Sequence, residues 1–463
     1  MTDSAGSPTK AENIATNVAI DPTTSPNADL KHRIKQLVAQ KGIVSRKIGE
    51  SRKQGIDASE LIDSMKVITT ELKSLEAELN EAASGKSQKT KPQKKVFPAR
   101  LTDSADESEP QPGESNPLSK ITIIRASNSS IKKRWNTFVD NNSSATIYHR
   151  FEFKQLIEDT FGHETIYLYA TDNSDNIVGV LPAIRTQSKL FGDYITSLPF
   201  FNYGGPISSH SSISEQLIAE LSKIGSNLPV SHAELRESKP RPGYPAKTDK
   251  ISMFLHLPDC EEELARKLGA KVRAQIKKGE INNFEFRLGG QELLPDFYRV
   301  FSRNMRDLGT PVYSIDFFQN ILETLSGNAS ICVLYLNGAP CSCAFLIGYK
   351  DTMEIPWAST IKSANPFNAN MVLYWNVLRT AINKGYSFFD FGRSSKDAAT
   401  YKFKKQWGAE PWTLHWHYWL KDGGELPQLN PNNPKYKLLI AVWQRLPVFL
   451  TNIIGPYLVK NLP

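Results

Sequence analysis

From about residue 120 onward the chain spells out one series of elements twice. "ITIIRAS" reads as a strand, and "IKKRWNTFVDNN" and "FEFKQLIEDTF" read as helices. "TIYLYATD", a turn at Asn173–Asn176, "NIVGVLPAIRTQ" and "DYITSLPF" follow as strands. A helix near 213–225 and the strand "HAELR" close the first pass. The second pass has the helices "LPDFYRVFSRNMRDLG" and "SIDFFQNILETLS", then the strand "SICVLYLN" and a turn at Gly338. "APCSCAFLIGY", "TMEIPWAST", the helix "NMVLYWNVLRTAINKG" and the strand "SFFDFGR" complete it. Helix–helix–β–turn–β–β–helix–β, used twice, is far too long a unit for a solenoid and predicts a duplicated α/β domain. Arg236 and Arg393 fall at equivalent ends of the two passes. Only the second continues into a basic, aromatic loop, so the second copy is expected to carry more of the chemistry.

The preceding region is built differently. Residues 1–28 are rich in Ser, Thr, Asn, Asp and Pro and read as a disordered tail. Residues 29–83 place Leu30, Ile34, Leu37, Ile43 and Ile48, then Leu61, Met65, Ile68, Leu72, Leu75 and Leu79, at helical spacing. A Gly55 turn joins the two stretches, and Asp57 or Ser59 is placed to cap the second. An antiparallel helical hairpin is predicted. Residues 84–118 change from a wholly basic half to a wholly acidic half and are rich in Ser and Pro. They read as a linker in which a packed core is implausible. Domains are then expected at 119–250 and 251–425, with amphipathic helices over 426–463.

With 463 residues, a formal net charge of +8 and a pI near 9.0, the chain suits an anionic partner without naming one. The four cysteines, Cys260, Cys332, Cys341 and Cys343, have neither CxxC spacing nor histidine neighbours. They read as reduced core residues, with no metal site. No secretory signal and no run of about 20 apolar residues is found. A cytoplasmic protein is expected, peripheral to the membrane if "YKLLIAVWQRLPVFLTNIIGPYLVKNLP" forms an interfacial helix pair with Trp443, Lys437 and Lys460. Docking of that pair on the core is the competing reading.

The candidate site lies around "FFDFGRSSKDAATYKFKKQWGAE", residues 388–410. Asp390 ends an apolar strand, on the side of Phe388 and Gly392 and opposite Phe389 and Phe391. It either handles a proton or simply pairs with Arg393. Arg393 in turn either grips a phosphate or carboxylate or pairs with Asp390. Lys402 and Lys404, alternating with Phe403, are expected to share one face with substrate, or to form a solvated basic face together with Lys405. Tyr401 and Trp407 suit stacking on a ring or packing in the core. Asn202 and Tyr203 precede the Gly204–Gly205 pair, which serves either close approach to a ligand or a tight turn. Arg303 and Arg306 share a helical face as a candidate anion grip, Tyr313 closes the following loop, and Trp357 lies on a strand beside the cleft. Arg273 is a further candidate phosphate contact.

"FYRVFSRNMRDLGTPVY", "LYWNVLRTAINKGYSFFDFGRSSKDAATYKFKKQWGAEP" and "FNYGGP" resemble the Fem-type (FemAB) transferases, and more narrowly the subgroup associated with exosortase/PEP-CTERM exopolysaccharide loci. The resemblance covers about residues 120–463. It implies two tandem GNAT-like domains. It also implies transfer of an aminoacyl group from aminoacyl-tRNA, or an acyl group from acyl-CoA, to a cell-envelope or polysaccharide precursor that can be lipid-linked. No permanently bound cofactor is implied. Lys404 matches the lysine of that family's "FK" motif, in the reaction groove. "SRKIGESRKQGIDASELIDSMKVITTELKSLEAEL" resembles the arm of bacterial seryl-tRNA synthetases, which implies tRNA as a partner. Fem-type enzymes carry such an arm inside the second domain, whereas here it is N-terminal, and a generic coiled coil fits the same letters. The pyrophosphate loop R/Q-x-x-G-x-G/A of ordinary GNAT enzymes is found in neither copy.

The expectation is an α/β (α+β) protein with tandem GNAT-like domains behind a helical hairpin, acting as an acyl or aminoacyl transferase. Lys404 and Asp390 are the catalytic candidates. Arg393, Tyr401, Lys402, Asn202, Tyr203, Arg306, Tyr313 and Trp357 are the substrate-binding candidates. The rivals are an acyl-CoA-dependent polysaccharide acetyltransferase and a non-catalytic RNA- or partner-binding module acting through residues 29–83.

Overall fold

The computed structural model describes residues 26–53, 57–84, 96–102, 121–189, 191–396, 398–427 and 434–462. The chain divides into two compact units, Met1–Lys94 and Lys95–Pro463. In the first, α1 (Pro26–Lys53) and α2 (Ser59–Ser84) pack together through Leu37, Ile48 and Leu72, and Arg33 meets Glu71 at 3.3 Å. Asp57 caps α2, its carboxylate accepting from the Ser59 N–H at 3.0 Å. Pro26 starts α1, a position that loses nothing by lacking an N–H. Helix thus begins inside the expected tail, the rest of which lies outside the described residues, as does the Gly55 turn.

The second unit opens on α3 (Ala99–Thr102). The first copy runs β1 (Thr122–Arg125), α4 (Lys132–Asn141), α5 (Glu152–Phe161), β2 (Glu164–Thr165), β3 (Leu168–Thr171), β4 (Ile177–Leu181), β5 (Ile184–Ser188), β6 (Gly192–Thr196), β7 (Ile207–Ser208), α6 (Ser211–Ser226) and β8 (His232–Glu237). Between the copies lie β9 (Ala246–Lys247), β10 (Lys250–His256), α7 (Glu261–Lys267) and α8 (Ala270–Glu280). The second copy runs β11 (Glu285–Gly289), α9 (Leu294–Leu308), α10 (Ile315–Thr324), β12 (Ala329–Leu336), β13 (Ala339–Tyr349), β14 (Thr352–Thr360), α11 (Ala369–Asn383) and β15 (Phe388–Ser395). It ends in α12 (Ala399–Gln406), β16 (Glu410–Thr413), β17 (His415–Leu420), α13 (Pro434–Trp443) and α14 (Val448–Val459). The twofold series read from sequence is present. "NIVGVLPAIRTQ" forms two strands because Pro182, between β4 and β5, has no N–H to give a ladder.

Two features of the sheets place the site. First, the copies exchange strands. β10, leaving the first copy, inserts between β15 and β16 in the seven-stranded sheet β11-β12-β13-β14-β15-β10-β16. β17, leaving the second copy, inserts between β8 and β9 in the six-stranded sheet β2-β5-β6-β8-β17-β9. Second, β14 and β15 run parallel only over Thr352–Glu354 and Phe388–Asp390. Beyond that, β14 stays with β13 while β15 turns to β10, and a wedge opens at the carboxyl ends of the pair.

The expected linker needs correction. Within residues 84–118, residues 96–102 pack into the second unit: Leu101 is buried, and Phe97 meets Trp412 edge-on at 4.9 Å. Phe97, Pro98 and Leu101 form an apolar island in the polar stretch, and burying it offsets the ordering cost. At the other end, α13 and α14 are docked. The Lys460 carbonyl accepts from His163 at 2.7 Å, and the Asn461 carbonyl accepts from Tyr194 at 3.0 Å. Trp443 is buried, not interfacial as expected. Leu438, Leu439, Phe449, Ile453 and Tyr457 are each more than half exposed. No helix among the described residues is long and apolar enough to cross a membrane.

Candidate active site

The wedge between β14 and β15 begins at two adjacent buried carboxylates. Glu354 and Asp390 face each other in the parallel register, 5% and 0% exposed. Asp390 accepts from the Tyr203 hydroxyl at 2.6 Å, the Ser252 hydroxyl at 2.8 Å and the Gly392 N–H at 2.8 Å. The Arg100 guanidinium reaches it at 3.2 Å. Glu354 accepts from the Tyr148 hydroxyl at 2.7 Å and from the Asn202 amide at 2.9 Å. Burial, reinforced by the charge of Asp390, pushes the Glu354 pKa up to about 7. That makes it the group of this site poised to exchange a proton near neutrality.

The surrounding backbone is shaped for this. Gly392 holds φ +70 where β15 bends away, a conformation that costs a residue with a Cβ. A register shift between Ser252 and Phe254 re-aims β10 so that Ser252 meets Asp390. Asn202 and Tyr203 come from the first copy, on a loop in which Phe200 is held at φ +73 against Phe161, with ring centroids 4.3 Å apart. A bulky residue at positive φ is strained, and aromatic packing maintains it here. The Gly204 and Gly205 N–H groups donate to the Arg236 carbonyl at 3.1 and 3.2 Å, so this glycine pair makes close backbone contact within the protein. His149, its pKa pushed down to about 4 by burial, donates through Nε2 to the Gly205 carbonyl and accepts from the Thr146 N–H.

Lys404 is buried, with Nζ donating to the carbonyls of Gly392 at 2.9 Å and Arg393 at 2.8 Å. Burial pulls its pKa down to about 8, against the pull of Asp390 and Glu354. It fixes the bent end of β15. The expected shared face of Lys402 and Lys404 is wrong, because residues 399–406 are helical and neighbours two apart diverge. Lys404 faces inward with Trp407, three residues on, while Lys402 and Lys405 are exposed. Tyr401 packs beside the core of the second copy and is not brought to the carboxylates.

Arg393 does not pair with Asp390. It is exposed, with its guanidinium 5.3 Å from the centroid of the Trp416 ring, whose other neighbour is Arg236 at 4.6 Å. Tyr313, its pKa raised by burial and lowered in part by Arg393 and Arg236, lies on this side with Trp357; the two rings are 6.1 Å apart. Arg306 is corrected outright. It binds Asp307 at 2.8 Å and the Leu446 carbonyl at 3.0 Å, and so anchors the segment between α13 and α14. Arg303 is exposed, and Arg273 donates to the Leu268 carbonyl. Two cavities open here, one beside Glu354 and one beside Tyr203. One of about 280 Å³ is lined by Tyr148, Lys350 and Glu354. The other, of about 600 Å³, is lined by Tyr203, Gly204, Arg236 and Arg241.

Sequence reasoning missed Arg100, Glu354, Tyr148 and Ser252. Glu354 had a signal of the same kind as Asp390, a lone carboxylate in the apolar strand "TMEIPWAST".

Residues 266–405 match the family model described as "Acetyltransferase (GNAT) domain". The match falls within the second copy, whose sheet is GNAT-like. No curated protein matches the chain. Among solved structures, FemX aligns at 12% identity over 69% of this chain and 100% of its own, with a TM-score of 0.48. A tandem GNAT protein from the clavulanic acid biosynthesis pathway aligns at 9% identity over 65% and 100%, with a TM-score of 0.45. The L-PGS structure from Bacillus licheniformis aligns at 12% identity over 68% and 97%, with a TM-score of 0.44. The matched span takes in β11 to β15, and the first copy follows the same order of two helices, strands, a helix and a strand, with its strands more broken and divided between two sheets. Tandem GNAT-like domains are thus the architecture, with the carboxylate pair at the wedge of the second.

Proposed function

We propose that the protein moves an acyl or aminoacyl group onto an amine or hydroxyl of a cell-envelope or exopolysaccharide precursor. The observation that carries this is the buried pair Glu354 and Asp390, one with a pKa near neutrality, at the wedge of a GNAT domain. Glu354 takes the proton as the acceptor nitrogen or oxygen bonds to the acyl carbon. The donor's carbon–oxygen or carbon–sulfur bond breaks, and the leaving group collects a proton. Lys404 keeps the strand end in place. Arg393, for which no carboxylate partner is found among the described residues, takes an anionic part of substrate beside Tyr313 and Trp357.

Aminoacyl-tRNA is the favoured donor. The turn ahead of α11, residues 361–368, has no glycine and so lacks the close backbone approach that a pyrophosphate requires. Acyl-CoA is the second reading, favoured by the acetyltransferase description of the matched family. Transfer of labelled aminoacyl groups from a charged tRNA pool, and of labelled acetyl groups from acetyl-CoA, to an envelope precursor extract separates the two. Glu354→Gln and Asp390→Asn should each reduce the active reaction at least tenfold. Silence with both donors, or full activity in both variants, defeats the proposal.

The exposed apolar face of α13 and α14 supports residence on the inner membrane surface, where a lipid-linked acceptor would be met. Flotation with anionic vesicles should be lost on Leu439→Asp with Phe449→Asp. Absence of flotation by the unaltered protein at low salt would remove this part of the reading.

A further inference from the structure

We infer that the pocket at Asp390 is a binding site for a cationic amine or guanidinium group of a substrate, and that Arg100 occupies it in cis. Arg100 arrives from 290 positions upstream, on a four-residue helix between Ser- and Pro-rich stretches of opposite charge. Its guanidinium lies 4.7 Å from the Tyr203 ring centroid and 5.2 Å from that of Phe254, with Asp390 at its end. Two aromatic faces and a carboxylate are the chemistry by which proteins recognise organic cations.

The fit is that of a guest. Arg100 touches Asp390 through one nitrogen at 3.2 Å, and its buried Nε has no hydrogen-bond partner. Arginine–carboxylate pairs are frequently joined by two parallel bonds, and this one is not. Asp390 is already held by Tyr203, Ser252 and the Gly392 N–H. Among the described residues, the hydrogen bond joining segment 96–102 to the rest of its unit is the one from Arg100, and Leu101 N–H bonds back to Pro98 within the segment. The segment otherwise rests on Phe97 and Leu101.

Arg100 also lines both cavities. Its withdrawal would open the wall between them, with Glu354 on one side and Tyr203 on the other. A substrate ammonium in place of the guanidinium would sit beside the carboxyl that titrates near neutrality. The identity of the guest as acceptor or aminoacyl amine rests on the transfer reading above, while its occupancy of the pocket does not.

The test uses the full chain with n-butylguanidinium and n-butylammonium as probes and n-butanol as the neutral control. In the unaltered protein, either cation should speed hydrogen exchange of the amides in 96–102 at least tenfold, and butanol should not. Arg100→Ala, with Arg100→Gln as a gentler variant, should bind the cations at least tenfold tighter by calorimetry. Adding Asp390→Asn should abolish that gain. A segment that stays protected at saturating cation, or that is released equally by butanol, overturns the inference whatever the variants do. So does cation affinity unchanged by either Arg100 substitution. None of these readouts depends on acyl transfer.

Discussion

Replacing Glu354 with glutamine should remove most of a pH-dependent stability difference. In the folded protein this carboxyl titrates near 7, against an ordinary 4.5. A group whose folded pKa is raised contributes stability that is fully present below the unfolded pKa and is lost as pH rises through the folded one. The window is therefore about pH 4.5 to 7. A shift of this size corresponds to about 3 kcal/mol between the two ends of the window. Glutamine is neutral throughout and keeps the contacts: its carbonyl accepts from Asn202, and its amide can donate to the Tyr148 oxygen. Calorimetric melting of both proteins from pH 4 to 8 isolates the term, because the other titrating groups are shared. At roughly 2 °C per kcal/mol for a unit of this size, the variant should gain about 6 °C on the unaltered protein across that range. Parallel Tm curves for the two proteins would show that Glu354 titrates as an ordinary carboxyl. The desolvation argument for the site would then fail.

Other substitutions probe the supports of the pair. Lys404→Met removes two charge-assisted bonds, to the carbonyls of Gly392 and Arg393, and should cost about 2–4 kcal/mol, read as a lower denaturation midpoint. Gly392→Ala meets no contact under 3.5 Å, so the φ of +70 alone should set its penalty at about 1 kcal/mol; a larger loss would mean that the wedge is tighter than described. Tyr203→Phe removes a buried bond to Asp390, worth about 1.5–3 kcal/mol, and should lower both transfer, at least tenfold, and Tm, by about 3–6 °C.

The duplicated order of elements was legible because each strand and helix shows its own periodicity. Asp390, Tyr203, Asn202 and Lys404 were singled out because a charged or polar group stands out where its neighbours are apolar or glycine, and the first three lie together at the carboxylate pair. Arg100 was not found: its partner lies 290 positions away, and the local letters point to a linker. Arg306 was placed at the site because two arginines on one helical face look the same whether they grip a ligand or, as here, a carbonyl of the C-terminal segment. The shared face of Lys402 and Lys404 failed because "YKFKKQW" alternates like a strand, while its position after the β15 bend makes it a helix that buries Lys404 and Trp407.

The crossed placement of β10 and β17 has a mechanical consequence. A cut between β10 and α7 gives two pieces, each missing the strand next to the last of its own sheet and carrying a spare strand shaped for the other's. Neither half should survive as a separate recombinant product, yet the two co-expressed should find each other. A pull on the C-terminus would be met first by the bonds of Lys460 and Asn461 to His163 and Tyr194, and then by β17 seated between β8 and β9. Clasped in this way, the two copies make one folding unit, not two separable ones.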